Sequence, residues 1–358
     1  MEVLDNKCPA CGAKITFNPK NQLWDCEYCG SKFSLEEMQK HNNASSEEAN
    51  KKDENKPTKK LDDLDVYRCK NCGAEVMADE QTTATFCVYC GSTTILKDKI
   101  NDGIAPTKII PFKKVKEDAV TAFKGLSKGR PLMPKLFNEP KNIEKLTGVY
   151  IPFWTYDLNV SGPISFNGVD VKHWSDYNYR YTKTDTYLSK RDATMDFERI
   201  LVDGSSRFDD DLMDSLEPFN FSDLVEYNHA YLSGFLAEKY DVDKDKAKER
   251  ADLRAMNTAV DTAKATVIHQ TKTVATNGMQ ITKKADDYIL LPVWMVNIKY
   301  NEKMYTFAMN GQTGELVGNI PLDIKKTIIY SIVIFIITTI IIFLILTFGV
   351  GGGVWSKN

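Results

Sequence analysis

Eight cysteines stand in two quartets: Cys8, Cys11, Cys26 and Cys29 in the first, Cys69, Cys72, Cys87 and Cys90 in the second. In each quartet two C-x-x-C pairs are separated by fourteen residues, and every cysteine recurs at an offset of 61, an internal repeat. A C-x-x-C turn aims two thiolates at one point. Gly12, Gly30, Gly73 and Gly91 follow the second cysteines, where such knuckles need positive φ. Four sulfurs enclose one cation tetrahedrally, so the expected cofactors are two structural zinc ions with no open position for catalysis. Ribbons this small bury too little apolar surface to fold unaided, and the metal supplies on the order of 10–16 kcal/mol. A rubredoxin-like iron site, a disulfide framework and thioredoxin-type pairs are the competing readings. Thiolate ligands persist in a reducing cytosol, and the opening MEVLDNKCPAC has neither a basic n-region nor an apolar h-region, so the modules are expected in the cytoplasm.

Charge bears on whether such ribbons bind nucleic acid. In residues 1–35, Lys7, Lys14, Lys20 and Lys32 balance Glu2, Asp5, Asp25 and Glu27; in residues 66–97, Arg68, Lys70 and Lys97 balance Glu75, Asp79 and Glu80. Neutralising phosphates needs a net basic face, and the whole chain carries −3, so nucleic acid is disfavoured as a partner. Phe17, Trp24 and Phe33 read as the first ribbon's small core.

The elements that position these quartets divide the chain into six parts. Ribbons are expected at 1–35 and 65–98, with a Glu-, Lys- and Asn-rich linker at 36–64 that has almost nothing to bury and reads as a disordered tether. A soluble body follows at 99–322. Residues 324–348 form a transmembrane helix: Thr327–Phe348 is 22 residues without a charge, about 33 Å at 1.5 Å each, enough for a hydrocarbon core of about 30 Å. The short tail 349–358 makes this a tail anchor. Lys325 and Lys326 precede the span and Lys357 follows it, which predicts a cytoplasmic N-terminus and an outside C-terminus. A specific anionic-lipid site at Lys325 and Lys326 would need a larger basic cluster.

Within the body, VYIPFWTYDLNV (149–160) and ILLPVWMVNIKY (289–300) resemble each other at an offset of 140, a possible internal repeat. Alternation places Trp154, Tyr156, Leu158 and Val160 on one face, and Trp294, Val296, Ile298 and Tyr300 repeat the arrangement. Further strands are expected at NYRYTKTDTYLSK, TMDFERILVD and KMYTFAMNGQTGELVG, with a turn at Asn310-Gly311. Residues 243–267 predict a helix capped by Asp243, with Leu253, Met256, Val260, Ala263 and Val267 as its apolar stripe. The expected class is α+β: two zinc ribbons, a mainly antiparallel β body with a few helices, and one C-terminal transmembrane helix.

No enzyme is expected. Asp203, Asp209, Asp210, Asp211 and Asp214 could in principle hold a divalent cation, but they lack the spacing of a cation loop. A simpler reading is an acidic helix start in which Asp209 or Asp210 caps while Leu212, Met213 and Leu216 face inward. His173 and His229 stand apart, and no G-x-S-x-G or phosphate loop is present.

The second quartet's TATFCVYCGS, together with IIPFK, YIPFWTYD, DDDLMDSLEPF, AYLSGFLAEKYDV, LLPVWMVNIKY and FAMNGQTGELVG, resembles the bacterial TFIIB-type zinc-ribbon membrane proteins over most of residues 66–320. The resemblance implies membrane-stress scaffolding beside flotillin-like (SPFH) or phage-shock (PspA-type) proteins, and supplies no catalytic residue. The expected function is a tail-anchored, cytoplasm-facing adaptor that recruits protein partners to the lipid bilayer. A membrane-tethered nucleic-acid binder is the alternative.

Overall fold

The computed structural model describes residues 8–41 apart from Lys14, the strand backbones at 65–69, 75–78 and 95–98, and residues 106–349 apart from Lys239. The linker from 42 to 64 and Cys72, Cys87 and Cys90 lie outside the described residues.

The first cysteine module is a three-stranded antiparallel sheet of β1 (Thr16–Asn18), β2 (Leu23–Asp25) and β3 (Lys32–Phe33), followed by helix α1 over 35–41. A capping box opens that helix: Ser34 N–H donates to Glu37 Oε2 (2.7 Å) and Glu37 N–H to Ser34 Oγ (3.3 Å). In the second module β4 (Asp65–Cys69) pairs antiparallel with both β5 (Glu75–Ala78) and β6 (Ile95–Asp98).

Chain order in the body is β7 (Lys108–Ile109), α2 (Lys116–Gly125), α3 (Pro140–Ile143), β8 (Thr147–Ser175), β9 (Arg180–Asp203), α4 (Asp210–Asp214), β10 (Val225–Glu226), β11 (Leu236–Ala237), α5 (Lys244–Ala265), β12 (Thr271–Asn277), β13 (Gln280–Tyr300), β14 (Lys303–Asn310), β15 (Leu316–Gly318) and α6 (Ile324–Leu344). The class is mixed α+β, with a mainly antiparallel curled sheet. Its spine is β8, which pairs with β13 over 147–161, with β12 over 164–169 and with β9 over 153–175. Register shifts at Tyr156/Leu158 and Lys283/Ala285 insert extra residues, and such bulges bend and twist the strands that carry them. The two strand segments expected between 178 and 203 are one strand, β9.

Trp154, Tyr156, Leu158 and Val160 share one core with Trp294, Val296 and Ile298, as the alternation predicts. The opposite face is buried as well where the strands begin: Val149, Ile151 and Phe153 join Ile289, Leu291 and Val293 in a second core, capped by Met213 and Leu216. Here the sheet is a middle layer, which is why near-continuous apolar runs and not simple alternation mark 149–153 and 289–296.

The two similar segments pair with each other about a local twofold. Ile151 faces Leu291 in the β8–β13 register, with Pro152 opposite Leu290 and Tyr150 opposite Pro292. The relation extends outward. Gly204 N–H donates to Pro152 O and Gly311 N–H to Pro292 O, both 2.8 Å, and Trp154 Nε1 reaches Val242 O while Trp294 Nε1 reaches Lys114 O, both 2.9 Å. Short parallel strands also correspond, Leu236 beside Val149 and Lys108 beside Ile289. Each strand–helix arm (β7–α2, β11–α5) therefore serves the tryptophan strand of the other half, β13 and β8 respectively.

Helix α5 differs from expectation in its buried stripe. Ala247, Ala251, Ala255, Ala259 and Ala263 face the sheet at every fourth position, while Leu253 is 60% exposed and Met256 and Val260 pack at the margin. Alanine lets the helix axis approach a sheet whose own side chains, Tyr156 and Leu158 among them, fill the intervening space. Asp243 sits at the cap position without a side-chain cap bond.

Candidate metal centre

Cys8 and Cys11 lie on the turn before β1, Cys26 and Cys29 on the turn between β2 and β3. Each turn is closed by its own backbone: Gly12 N–H donates to Cys8 O (2.8 Å) and Gly30 N–H to Cys26 O (2.9 Å), and Cys8 and Cys26 N–H reach Ala13 O (2.7 Å) and Ser31 O (2.9 Å). The expected glycine conformation is present, with φ of +71° at Gly12 and +73° at Gly30, where a β-carbon would be strained.

The four sulfurs lie within 4.8 Å of one another, and the closest pairs, Cys8–Cys29 and Cys11–Cys26, are 3.6 Å apart. A disulfide would need about 2.05 Å. A tetrahedron of thiolates about 2.3 Å from a cation has edges of about 3.8 Å, so these residues fit a metal ion. Among the described residues this is the one group of His, Cys, Asp and Glu side chains close enough to hold one. The sulfurs and their neighbours also shift one another's acidity. Hydrogen bonding with the Ser31 side chain and backbone pulls the Cys29 thiol down to about 6, whereas at Cys11 the lowering effect of Ala13 N–H is outweighed by desolvation and three neighbouring sulfurs, and the thiol is pushed up to about 12. Cys8 and Cys26 are buried; Cys11 and Cys29 are exposed, beside a Tyr28 that is 83% exposed. Of the second quartet, Cys69 ends β4 and the other three cysteines are outside the described residues.

The module does not stand alone on its linker. Trp24 Nε1 donates to Ala230 O (2.8 Å), Phe17 N–H to Ser233 O (3.0 Å) and Gln22 Nε2 to Phe112 O (2.9 Å). The rings of Phe17, Trp24 and Tyr231 pack with centroids 4.9 to 5.3 Å apart. Phe17 and Trp24 are thus core residues as expected, but of a core that continues into the body. A tryptophan is large for so small a module, and that was the available signal; nothing in residues 230–233 marks them as its seat.

The acidic cluster is occupied by arginine. Arg250 pairs with Asp203 (2.7 Å), Asp210 (2.9 Å) and Asp214 (2.8 Å), and Arg254 with Asp214 (3.3 Å) and Glu217 (2.9 Å). Asp209 caps α4 by accepting from Leu212 N–H (3.1 Å), and Met213 and Leu216 are buried, the acidic helix start read from the sequence. Arg250 and Arg254 lie on α5, distant in sequence, and were missed. The histidines are not gathered either: His173 Nδ1 meets Thr182 Oγ1 (2.9 Å), and His269 stacks on Tyr187 and meets Asp170 (2.9 Å).

At the other end, Ile324–Thr347 is a 24-residue helical stretch of mean hydropathy 3.1 with none of it buried, long and apolar enough to cross a membrane. Asp323 caps it, accepting from Lys325 and Lys326 N–H.

Compared with known proteins, the chain is 33% identical over 325 residues to "Uncharacterized protein YdjG" of Bacillus subtilis (strain 168), covering 90% of this chain and 92% of that protein. No family model matches the chain, and no solved structure matches it.

Proposed function

The chain belongs to the family of the Bacillus subtilis YdjG protein, and from that premise we propose that it is a single-pass membrane adaptor whose zinc-stiffened modules hold cytoplasmic proteins beside the bilayer. Cys8, Cys11, Cys26 and Cys29 hold one zinc ion, and Cys69, Cys72, Cys87 and Cys90 a second. Lys325 and Lys326 keep the body on the cytoplasmic side. Partners are the flotillin-like or PspA-type proteins implied by the resemblance to TFIIB-type zinc-ribbon membrane proteins.

The observation that supports this most is mechanical continuity. Trp24 locks the metal module to the body, and the body grips the start of α6 through Asp323 N–H to Leu132 O (2.9 Å) and Lys326 Nζ to Met133 O (2.6 Å). A partner seated on the exposed Cys11–Tyr28–Cys29 edge is then held at a defined place relative to the membrane, at a raised effective concentration.

The test combines metal analysis with capture from membranes. The native chain should carry two zinc ions and retain a PspA-type or flotillin-like protein. Cys26→Ser should lose one ion and most of the capture while staying in the membrane, because an emptied module forfeits about 10 kcal/mol of metal-coupled folding energy. Capture undiminished with both quartets emptied would refute the adaptor reading, and sequence-selective retention of DNA or RNA would favour the nucleic-acid alternative.

A further inference from the structure

Lys325 and Lys326 alone make a small basic pair, but the fold adds to them. The loop from 126 to 135, which follows α2, contains Lys128, Arg130 and Lys135 and no acidic residue. It is pinned against the first turn of α6 by the Leu132 and Met133 carbonyls, which accept from Asp323 N–H (2.9 Å) and Lys326 Nζ (2.6 Å). Lys128, Arg130, Lys135 and Lys325 are exposed, and among the described residues none of them has a carboxylate partner. Of the acids nearest in sequence, Asp323 is engaged in capping the helix through Lys325 and Lys326 N–H (3.0 and 3.2 Å), and Glu139 pairs with Lys141 (2.8 Å).

Between the loop and the segment leading into α6 runs a groove of about 400 Å³ whose lining includes Arg130, Leu132, Met133, Ile320 and Leu322. Its lining is apolar apart from Arg130, and the other cations of the collar lie on the flanking loop and on the first turn of α6. Leu322 is 60% exposed, and the exposed Ile324 continues the apolar surface onto the helix. A free anion would match only the cations. A phospholipid of the bilayer that α6 crosses would match both parts, its phosphate among the cations and its glycerol and upper acyl carbons against the leucines.

We propose that this collar binds the headgroup of an acidic phospholipid, and so fixes how the body sits on the membrane. The inference rests on the reading of α6 as a membrane span. It also adds what that reading lacks, since one helix leaves the body free to rotate about its axis, whereas a lateral lipid contact at 128–135 gives it a second point of attachment.

The experiment uses the full chain reconstituted in phosphatidylcholine bilayers with a minor share of phosphatidylglycerol, extracted in mild detergent, with the retained lipid measured by mass spectrometry. Phosphatidylglycerol should be enriched above its bulk share, and the enrichment should fall as salt is raised. The variant Lys128→Gln/Arg130→Gln/Lys135→Gln should lose it, each removed cation weakening headgroup binding about fivefold. Arg130→Lys, which keeps the charge, should retain most of it and guards against misfolding as the cause. Bulk-share retention by the native chain, undiminished enrichment in the triple variant, or full displacement by inorganic phosphate would each overturn the proposal. Resistance to alkaline carbonate is scored separately: a native chain that carbonate extracts overturns the span and the collar with it, whereas a resistant chain without enrichment overturns the collar alone.

Discussion

Around Trp154 the sheet is backed by the alanine face of α5; around Trp294 it is backed by α2, with Phe123 and Ala119 buried. Both indoles donate to the carbonyl two residues before their helix begins, Val242 and Lys114. The polar shells beyond them differ. Asp203 and Asn310 occupy corresponding registers, opposite Phe153 and Val293, yet Asp203 meets Arg250 while Asn310 gives Nδ2 to Leu216 O (2.9 Å) and accepts from Gln312 and Thr313 N–H (2.9 and 3.0 Å). At this register one half carries a carboxylate and the other an amide, with the Asp223–Lys113 pair lying one step further out, beyond Gln312. The backbone geometry repeats because two paired proline–tryptophan strands need the same supports. The shell is free to vary provided every buried polar atom finds a partner.

The comparison is tested most severely at the indoles. Trp154→Ala and Trp294→Ala should each cost about 3–5 kcal/mol, combining cavity and lost hydrogen bond, as read by urea unfolding in mild detergent. Markedly unequal losses would mean that the twofold is geometric only. Next, Arg250→Ala should cost about 3 kcal/mol because it strands the buried Asp203 carboxylate, whereas Gln312→Ala, which removes bonds to the Asn220 backbone and to Asp223 but leaves Asp223 paired with Lys113, should cost about 1.5 kcal/mol. Equal costs would show that the buried Asp203 carboxylate gives its half no special dependence on its arginine. Third, Ala255→Leu should destabilise by about 1–3 kcal/mol through overpacking against the sheet, while Leu253→Ala, on the exposed face, should fall within about 0.5 kcal/mol of the native chain.

The smallest effect is in pH. Burial raises the Asp203 carboxyl to about 6 even though Arg250 opposes it. Between about 4 and 6 the folded state keeps a proton that the unfolded chain has released, so this group's contribution is present at low pH and is lost as pH rises through 6. Asp203→Asn should remove that dependence and make the half resemble its partner. The stability difference, variant minus native, should therefore move in the variant's favour from pH 4 to pH 7; a flat difference would show that Arg250 holds Asp203 ionised throughout.

Much of the site was legible because its rules are local. Two residues between cysteines, and a glycine after the second, set a turn that brings sulfurs together whatever surrounds it; the described quartet, with its two positive-φ glycines, follows that rule. The same holds for α6, where length and an unbroken apolar run satisfy the helix test without reference to neighbours. The tryptophan strands were legible too, since a period of two survives any packing partner.

What the sequence hid depends on partners far along the chain. Leu253 looks like a core residue by spacing, yet the curled sheet admits only alanine at close approach, and the curl arises from bulges that no local pattern announces. Asp203, Asp210 and Asp214 look like cation ligands until α5 brings Arg250 among them. Trp24 reads as private to its ribbon until Ala230 supplies the acceptor for its indole, and Lys325 and Lys326 remain a mere pair until the 126–135 loop docks beside them. Residue type and spacing alone determined the cysteine knuckles, the strand faces and the apolar span, because each is decided by bonds and periodicity within a few residues. Only the tertiary structure decided which charges are neutralised, which helix face is buried and what the first module rests on, because burial and ion pairing are properties of groups that meet in space.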